Sequence, residues 1–505
     1  MALAYILLGL STVAYLLYLH FTRTFNYWKD RNVPGPAPVP LFGNMMESAL
    51  RRTHTALVMK KIYKDFPDEK VVGVYRMTSP CLLIRDPDIV KHVLIKDFDN
   101  FADRGDHFSN EGLGSNLFNA DAKTWRILRT KFTPLFTSGK LKNMLYLMNQ
   151  SSDKIMKHVE ELVQMQPEQE VYELMHNFTM GSIAACAFGL DLDPTEKGAT
   201  MEALYKINKL LGMMTYAYEI DLLYPGIFVK LGASFFSDEI VNFFKGLVAQ
   251  VTAARNGLPT NRKDFMDLLL EMKQANIVQG SKRLEDEDAD TLEITEDLMA
   301  AQALVFYSGG LETSAITMTY MLYHLALNPE IQERVATEIE EVLERHSGEI
   351  TYDALNNLVY LDRVFHETLR LHPVAESIVR VAAANYKVPG TDVTLERGYT
   401  AVVSTLSLQN DKKYWPDPLK FDPDRFSPEK VANRHPGVYL PFGIGPRNCI
   451  AIRFAKMQVR GVMAKLLSKF RVEPTEDTRR ELRFNTYKVI PFPVGGIRMK
   501  LLPRH

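Results

Sequence analysis

The chain has 505 residues, and its 60 lysines and arginines nearly balance its 61 aspartates and glutamates, leaving a formal net charge of −1. This charge argues neither for nor against a nucleic-acid partner, and we expect none. Three scattered cysteines exclude a disulfide framework and indicate a reducing compartment. Residues 46–505 show no linker, repeat or low-complexity run, which predicts one large, mainly α-helical domain with small β-sheets.

The first segment of the chain is apolar. No charged residue occurs between Met1 and Leu19, and about 20 apolar residues span a bilayer. Basic residues follow this run and none precedes it, which differs from a cleaved signal peptide and places the body of the protein in the cytosol. We therefore predict a transmembrane anchor over 1–21, a basic and proline-rich linker over 22–45, and the main domain over 46–505.

Short strands and a polar helix come next. Strands are predicted near Val71–Tyr75 and Cys81–Ile84, with others near the C-terminus. Residues Ala122–Phe132 fit a helix on which Trp125 and Arg129 share a face. An indole N–H and a guanidinium on one face can bind a carboxylate, but the same spacing also fits an amphipathic surface helix.

A long apolar helix is predicted over residues 300–325. Gly309 and Gly310 lie inside it, where each glycine costs about 1 kcal/mol relative to alanine. They fit either close packing against another helix or a groove over a ligand. Glu312 and Thr313 follow, and a hydroxyl beside an acid in an apolar helix can relay protons through ordered water.

An ExxR sequence runs from Glu367 to Arg370. Apolar residues surround it, so its helix is expected to be largely buried. Charges at positions i and i+3 can pair, although an ExxR occurs by chance about once or twice in a chain of average composition. Buried charges need further partners, so this pair is expected to belong to a larger network.

A glycine-rich loop ends on Cys449, and a helical pattern follows it. Gly443 and Gly445 let backbone come close to a flat ligand. The positive end of the helix and Arg447 are each expected to lower the pKa of the Cys449 thiol. Since the chain has no CxxC pair, a zinc or iron–sulfur cage is not expected. A structural cysteine, a nucleophile with a partner histidine, and a haem ligand remain open.

The loop also resembles a known family. Four positions carry the pattern F-x-x-G-x-R-x-C: Phe442, Gly445, Arg447 and Cys449. This pattern closely resembles the haem-ligand loop of the cytochrome P450 superfamily, the haem-thiolate monooxygenases. Residues 309–314 resemble that family's oxygen-activation motif. The resemblance covers nearly the whole chain and implies the cytochrome P450 fold. It departs at Ala451, where the family usually has glycine.

The resemblance implies roles for individual residues. Cys449 would be the axial thiolate ligand of a haem b iron. The other cofactor-binding residues would be Trp125, Arg129, Arg380, Arg447, Phe442 and Gly309, with the arginines and the tryptophan holding the propionates. Glu312 and Thr313 would form the oxygen-activation relay. A structural network would consist of Glu367, Arg370 and Arg425, the last in Pro-Asp-Arg-Phe where the family usually has Pro-Glu-Arg-Phe.

The resemblance also implies a reaction and its partners. The enzyme would insert one oxygen atom from O2 into a lipophilic small molecule, using electrons from NADPH through a flavoprotein reductase, with cytochrome b5 as a further donor. The N-terminus resembles that of microsomal members, which are anchored in the endoplasmic reticulum membrane with the catalytic domain in the cytosol. Phe136–Lys142 and Gly445–Cys449 resemble insect members of the clan that includes vertebrate drug-metabolising enzymes. Plant toxins and insecticides are therefore the expected substrates.

Two surfaces are expected from the family layout. The substrate pocket should draw on the segment after Asp103, Leu204–Phe244, Phe306, Val374–Val379 and Phe484–Tyr487. A basic face should dock an acidic reductase, although an ordinary solvated face explains these charges equally well. The cations in question are Lys123, Arg126, Lys131, Arg453, Lys456 and Arg460.

Three other functions are alternatives for this chain. A haem-thiolate isomerase or dehydratase needs neither oxygen nor reductase, and such relatives often lose the threonine that Thr313 retains. An endogenous lipid or hormone hydroxylase would use the same chemistry on another substrate class. A haem sensor or inactive carrier would need neither the relay nor the anchor.

Overall fold

The computed structural model describes residues 1–106, 108, 112–193, 198–280 and 290–504. Within these ranges the chain forms nineteen α-helices. They are α1 Ala2–Thr22, α2 Met46–Ala49, α3 Thr55–Asp65, α4 Pro87–Lys91, α5 Ala122–Phe132, α6 Ser138–Met165, α7 Val171–Ile183, α8 Ala199–Leu211, α9 Ala217–Leu223, α10 Ile227–Lys230, α11 Asp238–Ala254, α12 Phe265–Ala275, α13 Glu296–Leu327, α14 Pro329–Arg345, α15 Tyr352–Asn357, α16 Val359–Leu371, α17 Thr405–Leu408, α18 Pro428–Ala432 and α19 Ile452–Lys469.

Eleven short strands occur in the same described ranges. They are β1 Val71–Arg76, β2 Ser79–Ile84, β3 Glu168–Glu170, β4 Ile277–Gln279, β5 Thr291–Glu293, β6 Ser377–Val381, β7 Tyr386–Lys387, β8 Thr394–Leu395, β9 Thr400–Ser404, β10 Phe470–Pro474 and β11 Arg498–Pro503. The largest sheet has the order β1-β2-β9-β6, in which only β2 and β9 run parallel. A second sheet has the order β10-β11-β3, and the remaining strands form two hairpin-like pairs.

The long helix α13 lies at the centre of the molecule. It is apolar on all sides, and a helix of this kind is stable only when other elements cover it. Thr295 caps its N-terminus by accepting a hydrogen bond from the Leu298 N–H at 3.1 Å. Helices α7, α11, α16 and α19 all pack against it. Most residues in its middle, including Glu312, are therefore buried.

The N-terminal helix α1 is exposed from Ala2 to His20, and none of its residues is buried. It has 21 residues and a mean hydropathy of 1.9, which makes it long and apolar enough to cross a membrane. The segment that follows packs against the sheet. The Trp28 indole donates to the Val74 carbonyl at 3.0 Å, and the Gly73 N–H donates to the Pro34 carbonyl at 2.8 Å. The predicted linker, which follows the anchor in the chain, thus packs against β1.

The strongest sequence patterns predicted the elements well. Strands β1 and β2 cover the two predicted strands, and α5 has the predicted bounds. Helix α13 begins at Glu296 and ends at Leu327, so it extends the helix predicted over 300–325 at both ends. The mainly α fold with small sheets is confirmed.

Candidate active site

Cys449 ends a loop whose shape depends on two glycines. Gly443 and Gly445 adopt φ angles of 67° and 79°, in the left-handed region that side chains disfavour. A Cβ on Gly445 would also overlap the carbonyl oxygen of Leu94. The Cys449 N–H donates to the Phe442 carbonyl at 2.8 Å. The backbone of the loop therefore fixes the point from which the Cys449 side chain extends.

The surroundings of Cys449 differ from those of the other two cysteines. Cys81 and Cys186 are buried, whereas the Cys449 side chain is accessible, even though it lies deep among protein atoms. This combination is typical of a residue at the floor of a deep pocket. The thiol is therefore placed to contact a ligand, and it does not serve to fill the core.

The expected lowering of the Cys449 pKa is wrong in its net direction. Burial raises the pKa of the thiol, while the Ala451 N–H, Arg129 and Arg104 act in the opposite direction without prevailing. Arg447, the cation predicted for this role, has its guanidinium directed at backbone carbonyls, including that of Phe118 at 3.2 Å. Burial therefore favours the neutral thiol, and a cation bound at the sulfur would favour the thiolate.

Ala451 stands where the family usually has glycine. Its φ of −97° is one that any residue adopts, so the backbone does not require glycine there. Its N–H faces the Cys449 sulfur and favours the thiolate form. The extra methyl group leaves this donor in place.

Three arginines from different parts of the chain lie near one another beside the cysteine loop. They are Arg104 in the loop before α5, Arg380 on β6 and Arg447. Burial and repulsion from Arg104 lower the pKa of Arg447 to about 9. Burial, with repulsion from Arg104 and Arg447, also lowers the pKa of Arg380. The Nε atom of each arginine is buried without a hydrogen-bond partner in the described part of the chain. Such a cluster fits an anionic ligand, because buried cations are costly without one.

Trp125 and Arg129 on α5 both reach the cysteine loop. Arg129 donates to the Asn448 carbonyl at 2.6 Å and to its side-chain oxygen at 2.8 Å. The Arg447 guanidinium lies 5.1 Å from the centroid of the Trp125 ring. In this structure Arg129 stabilises the loop through Asn448. Its predicted contact with a haem propionate stays a prediction.

The two glycines of α13 have different surroundings. A Cβ on Gly310 would overlap the end of Ile183 and lie 3.0 Å from its Cγ1, whereas a Cβ on Gly309 would meet nothing within 4 Å. The Thr313 hydroxyl donates to the Gly309 carbonyl at 2.7 Å. Close packing of α13 against α7 thus explains Gly310. Gly309 and Thr313 face the open side of the helix, where a groove would be.

Glu312 is buried and bonded to side chains of α7 and α8. The Tyr172 hydroxyl donates to both carboxylate oxygens, at 2.9 and 2.8 Å. The Asn208 amide donates to Oε2 at 3.1 Å, and the Nε2 atom of His176 lies 3.8 Å from the same oxygen. Sequence reasoning missed these three residues, because a contact across 104 to 140 positions leaves no local pattern.

The ExxR pair is fully buried and belongs to a larger network. Arg370 donates from Nε to one oxygen of Glu367 at 2.7 Å and from Nη2 to the other at 2.8 Å. The Arg425 Nε lies 3.4 Å from Glu367, and the Asp422 N–H donates to Glu367 at 2.9 Å. Burial raises the pKa of Glu367, and the two arginines oppose that rise. The structure therefore places Arg425 in the same network as the pair.

The segments expected to line the substrate pocket meet only in part. The Met214 N–H donates to the Tyr487 carbonyl at 2.7 Å, which joins the end of α8 to the C-terminal segment. Phe306 stacks on Phe265 with ring centroids 4.0 Å apart, in an aromatic core between α12 and α13. Residues 107 and 109–111, which belong to the first expected segment, lie outside the described residues.

The cations of the expected docking face differ in their availability. Lys456 and Arg460 lie 3.1 and 3.9 Å from Asp362 and are mostly buried. Two further cations are paired with carboxylates: Lys123 with Asp290 and Arg126 with Asp99. Arg453 is exposed, Lys131 is half-buried, and neither forms an ion pair with a residue that the structure describes. These two are the cations best placed to meet an acidic partner.

Comparison with known proteins agrees with this geometry. The family model described as Cytochrome P450 matches residues 33–500. The chain belongs to the cytochrome P450 family. It is 54% identical to cytochrome P450 6B5 of Papilio glaucus over 471 residues, which cover 93% of this chain and 98% of that protein. It is 49% identical to cytochrome P450 6B1 of Papilio polyxenes over 500 residues, 99% of this chain and all of that protein. Cytochrome P450 6a2 of Drosophila melanogaster is 37% identical over 520 residues, 99% of each chain.

The family makes this chain a cytochrome P450 monooxygenase and implies a thiolate-ligated haem iron. The residues described above fit that group. Cys449 presents an accessible sulfur at the end of a rigid loop. Beside it, Arg104, Arg380 and Arg447 offer cationic groups with buried, unsatisfied Nε atoms, which suit the two carboxylates of a haem.

Proposed function

We propose that this cytochrome P450 binds haem b through Cys449 and inserts one oxygen atom from O2 into lipophilic small molecules. Electrons come from NADPH through a flavoprotein reductase, with cytochrome b5 as a second donor. The substrates are xenobiotics of the plant-toxin and insecticide class. The relatives come from butterflies, a moth and flies among other insects, which supports the insect resemblance on which this substrate class rests.

The observation that carries the proposal is an accessible thiol beside three incompletely paired arginines. Neither the accessible thiol nor the arginine cluster has a good structural explanation by itself. A structural cysteine would be buried as Cys186 is. Clustered arginines whose buried Nε atoms lack hydrogen-bond partners are costly, and a cofactor with one cation and two carboxylates would satisfy both the thiol and the arginines. Arg104, Arg380 and Arg447 would hold the carboxylates, and Cys449 would hold the iron.

The bound haem would supply the oxygen chemistry. The chain's own residues would deliver protons and exclude water. The Thr313 hydroxyl lies on the open side of α13 against the Gly309 carbonyl, where it can exchange a proton with a ligand in the groove. Glu312, the adjacent residue, is the acid that would resupply this hydroxyl. Retention of both residues favours oxygen activation over an isomerase or dehydratase.

The same proposal includes a location and a docking face. The exposed apolar helix α1 would anchor the protein in the endoplasmic reticulum membrane, with the catalytic domain in the cytosol. Arg453 and Lys131 would meet acidic groups of the reductase. Lys456 and Arg460 contribute less, because both are mostly buried and lie beside Asp362.

Oxygen incorporation tests the proposal directly. The full-length protein is reconstituted with a microsomal reductase and NADPH, supplied with ¹⁸O2 and a lipophilic plant toxin, and the products are weighed by mass spectrometry. We expect one ¹⁸O atom per product and strict dependence on NADPH. Thr313→Val should lower the product formed per NADPH.

Thr319→Val is the matched control, because the Thr319 hydroxyl makes the same type of bond, to the Ala315 carbonyl at 2.8 Å, but is fully buried. It should behave like the wild type. A wild-type protein that rearranges a lipid hydroperoxide without NADPH, and incorporates no ¹⁸O, would show an isomerase instead.

A further inference from the structure

The Asn208 amide connects Glu312 to a histidine. Its Nδ2 atom lies 2.8 Å from the Nε2 atom of His176 and 3.1 Å from Glu312 Oε2. An amide nitrogen only donates, so both atoms facing it are acceptors, and His176 carries its proton on Nδ1. Burial lowers the pKa of His176 to about 4, in keeping with this neutral ring. Asn208 thus uses both of its amide hydrogens inside the cluster.

The carboxylate of Glu312 is held on one side of α13 and the hydroxyl of Thr313 on another. Consecutive helix positions diverge by about 100°, and Thr313 bonds to the Gly309 carbonyl, not to Glu312. The contacts from Tyr172 and Asn208 keep Glu312 towards α7 and α8. Protons can pass from Glu312 to Thr313 only if the Glu312 side chain turns or ordered water intervenes.

Asn208 belongs to a helix whose end is tied to another part of the chain. The Val489 N–H donates to the Gly212 carbonyl at 3.0 Å, and the Met214 N–H donates to the Tyr487 carbonyl at 2.7 Å. Gly212, Met214 and Tyr487 belong to segments expected to line the substrate pocket, and Val489 lies two residues beyond the second of them. A substrate that displaces α8 would therefore move Asn208 away from Glu312, whereas Tyr172 on α7 would stay in place.

We propose that Tyr172, His176 and Asn208 are positioning residues for Glu312, and that Asn208 makes the release of this carboxylate depend on the position of α8. This inference rests on the monooxygenase function proposed above. In the absence of substrate, the three residues keep Glu312 away from Thr313 and restrict proton delivery. When they are removed, Glu312 turns freely, and two protons with two electrons from NADPH convert O2 into hydrogen peroxide without oxidising a substrate.

The test measures hydrogen peroxide formed per minute without substrate, in the reconstituted full-length protein. Tyr172→Phe keeps the ring and removes the hydroxyl that bonds to both oxygens of Glu312. We expect it to raise peroxide formation by roughly ten- to a hundredfold, in line with the loss of a hydrogen bond to a charged group. Asn208→Leu should have a similar effect. Tyr320→Phe is the control, because it removes a buried hydroxyl from α13 that bonds to the Pro491 carbonyl at 3.0 Å.

A double-mutant cycle shows whether the effect acts through Glu312. In a Glu312→Gln background, Tyr172→Phe should leave peroxide formation unchanged. An equal increase in both backgrounds, or an increase in Tyr320→Phe as large as in Tyr172→Phe, would overturn the inference. If Tyr172→Phe does not retain its haem, Asn208→Leu replaces it, and its effect on peroxide formation is compared in the wild-type and Glu312→Gln backgrounds. Failure of the wild type to use NADPH at all would instead contradict the proposed function.

Discussion

Replacing either glycine of the cysteine loop by alanine gives a quantitative test of the loop geometry. Both Gly443 and Gly445 have positive φ, and a non-glycine residue in that region costs about 1–2 kcal/mol. A Cβ on Gly443 would have its nearest neighbour at 3.7 Å, so this cost is all that we expect for Gly443→Ala.

Gly445→Ala carries a second cost. Its Cβ would lie 2.9 Å from the carbonyl carbon of Leu94 and closer still to the oxygen. Leu94 belongs to a π-helical segment, His92–Lys96, whose backbone cannot rotate away as a side chain would. Overpacking of this kind costs about 1–3 kcal/mol, and a backbone obstacle places it near the upper limit. The total for Gly445→Ala is therefore about 3–5 kcal/mol.

The assay is the thermal midpoint of the haem-loaded protein, measured at one scan rate by loss of the carbon monoxide complex. Unfolding entropy of about 2 cal/mol/K per residue makes 1 kcal/mol equal to about 1 °C for a chain of this length. We expect a midpoint about 1–2 °C lower for Gly443→Ala and about 3–5 °C lower for Gly445→Ala. Equal shifts, or a larger shift for Gly443→Ala, would refute the argument that the Leu94 carbonyl restricts position 445.

Further predictions follow from the packing and charges. Gly310→Ala should lower the thermal midpoint through its overlap with Ile183, and the second change Ile183→Val, which removes the overlapping methyl group, should restore most of the loss. Glu367→Gln should destabilise the protein by about 3–5 kcal/mol, measured as lost haem-loaded protein on expression, because it leaves buried guanidinium charge unpaired; normal yield would contradict this. Burial raises the pKa of Asp362, but the hydrogen bond and charge of His366, with the charges of Lys456 and Arg460, hold it below its ordinary value. The stabilisation by Asp362 is therefore complete above the unfolded pKa of about 4 and is lost as the pH falls further. The midpoint of Asp362→Asn should therefore fall less steeply than that of the wild type between about pH 5 and pH 3. Arg453→Glu should raise the reductase concentration needed for half-maximal turnover several-fold at low salt and by little at high salt; a salt-independent effect would argue against docking there.

Local patterns predicted much of this molecule. The bounds of α5 and the existence of α13 follow from periodicity, and the glycines and cysteine of the loop follow from motif spacing. These signals lie within a few residues of one another, so a single sequence displays them. Gly309 and Gly310 show what local patterns cannot predict. Only the structure reveals that Gly310 packs closely against Ile183, whereas Gly309 faces open space.

Features that depend on distant contacts could not be predicted. Arg104 lies in a loop with no motif, and only the fold brings it beside Arg447. Tyr172 and Asn208 reach Glu312 across more than a hundred positions. The sign of the Cys449 pKa shift depends on how strongly burial outweighs nearby positive charge. A sequence shows which residues are charged but not how deeply each one is buried.

The measurement that tests the central claim most directly is the carbon monoxide difference spectrum of the reduced full-length protein. Thiolate ligation by Cys449 predicts the far-red-shifted Soret band of a haem-thiolate protein. Cys449→Ser should abolish this band, whereas Cys81→Ser, which changes a buried cysteine elsewhere, should preserve it. A histidine-type band in the wild type, or a thiolate band that survives Cys449→Ser, would contradict the assignment of Cys449 as the iron ligand.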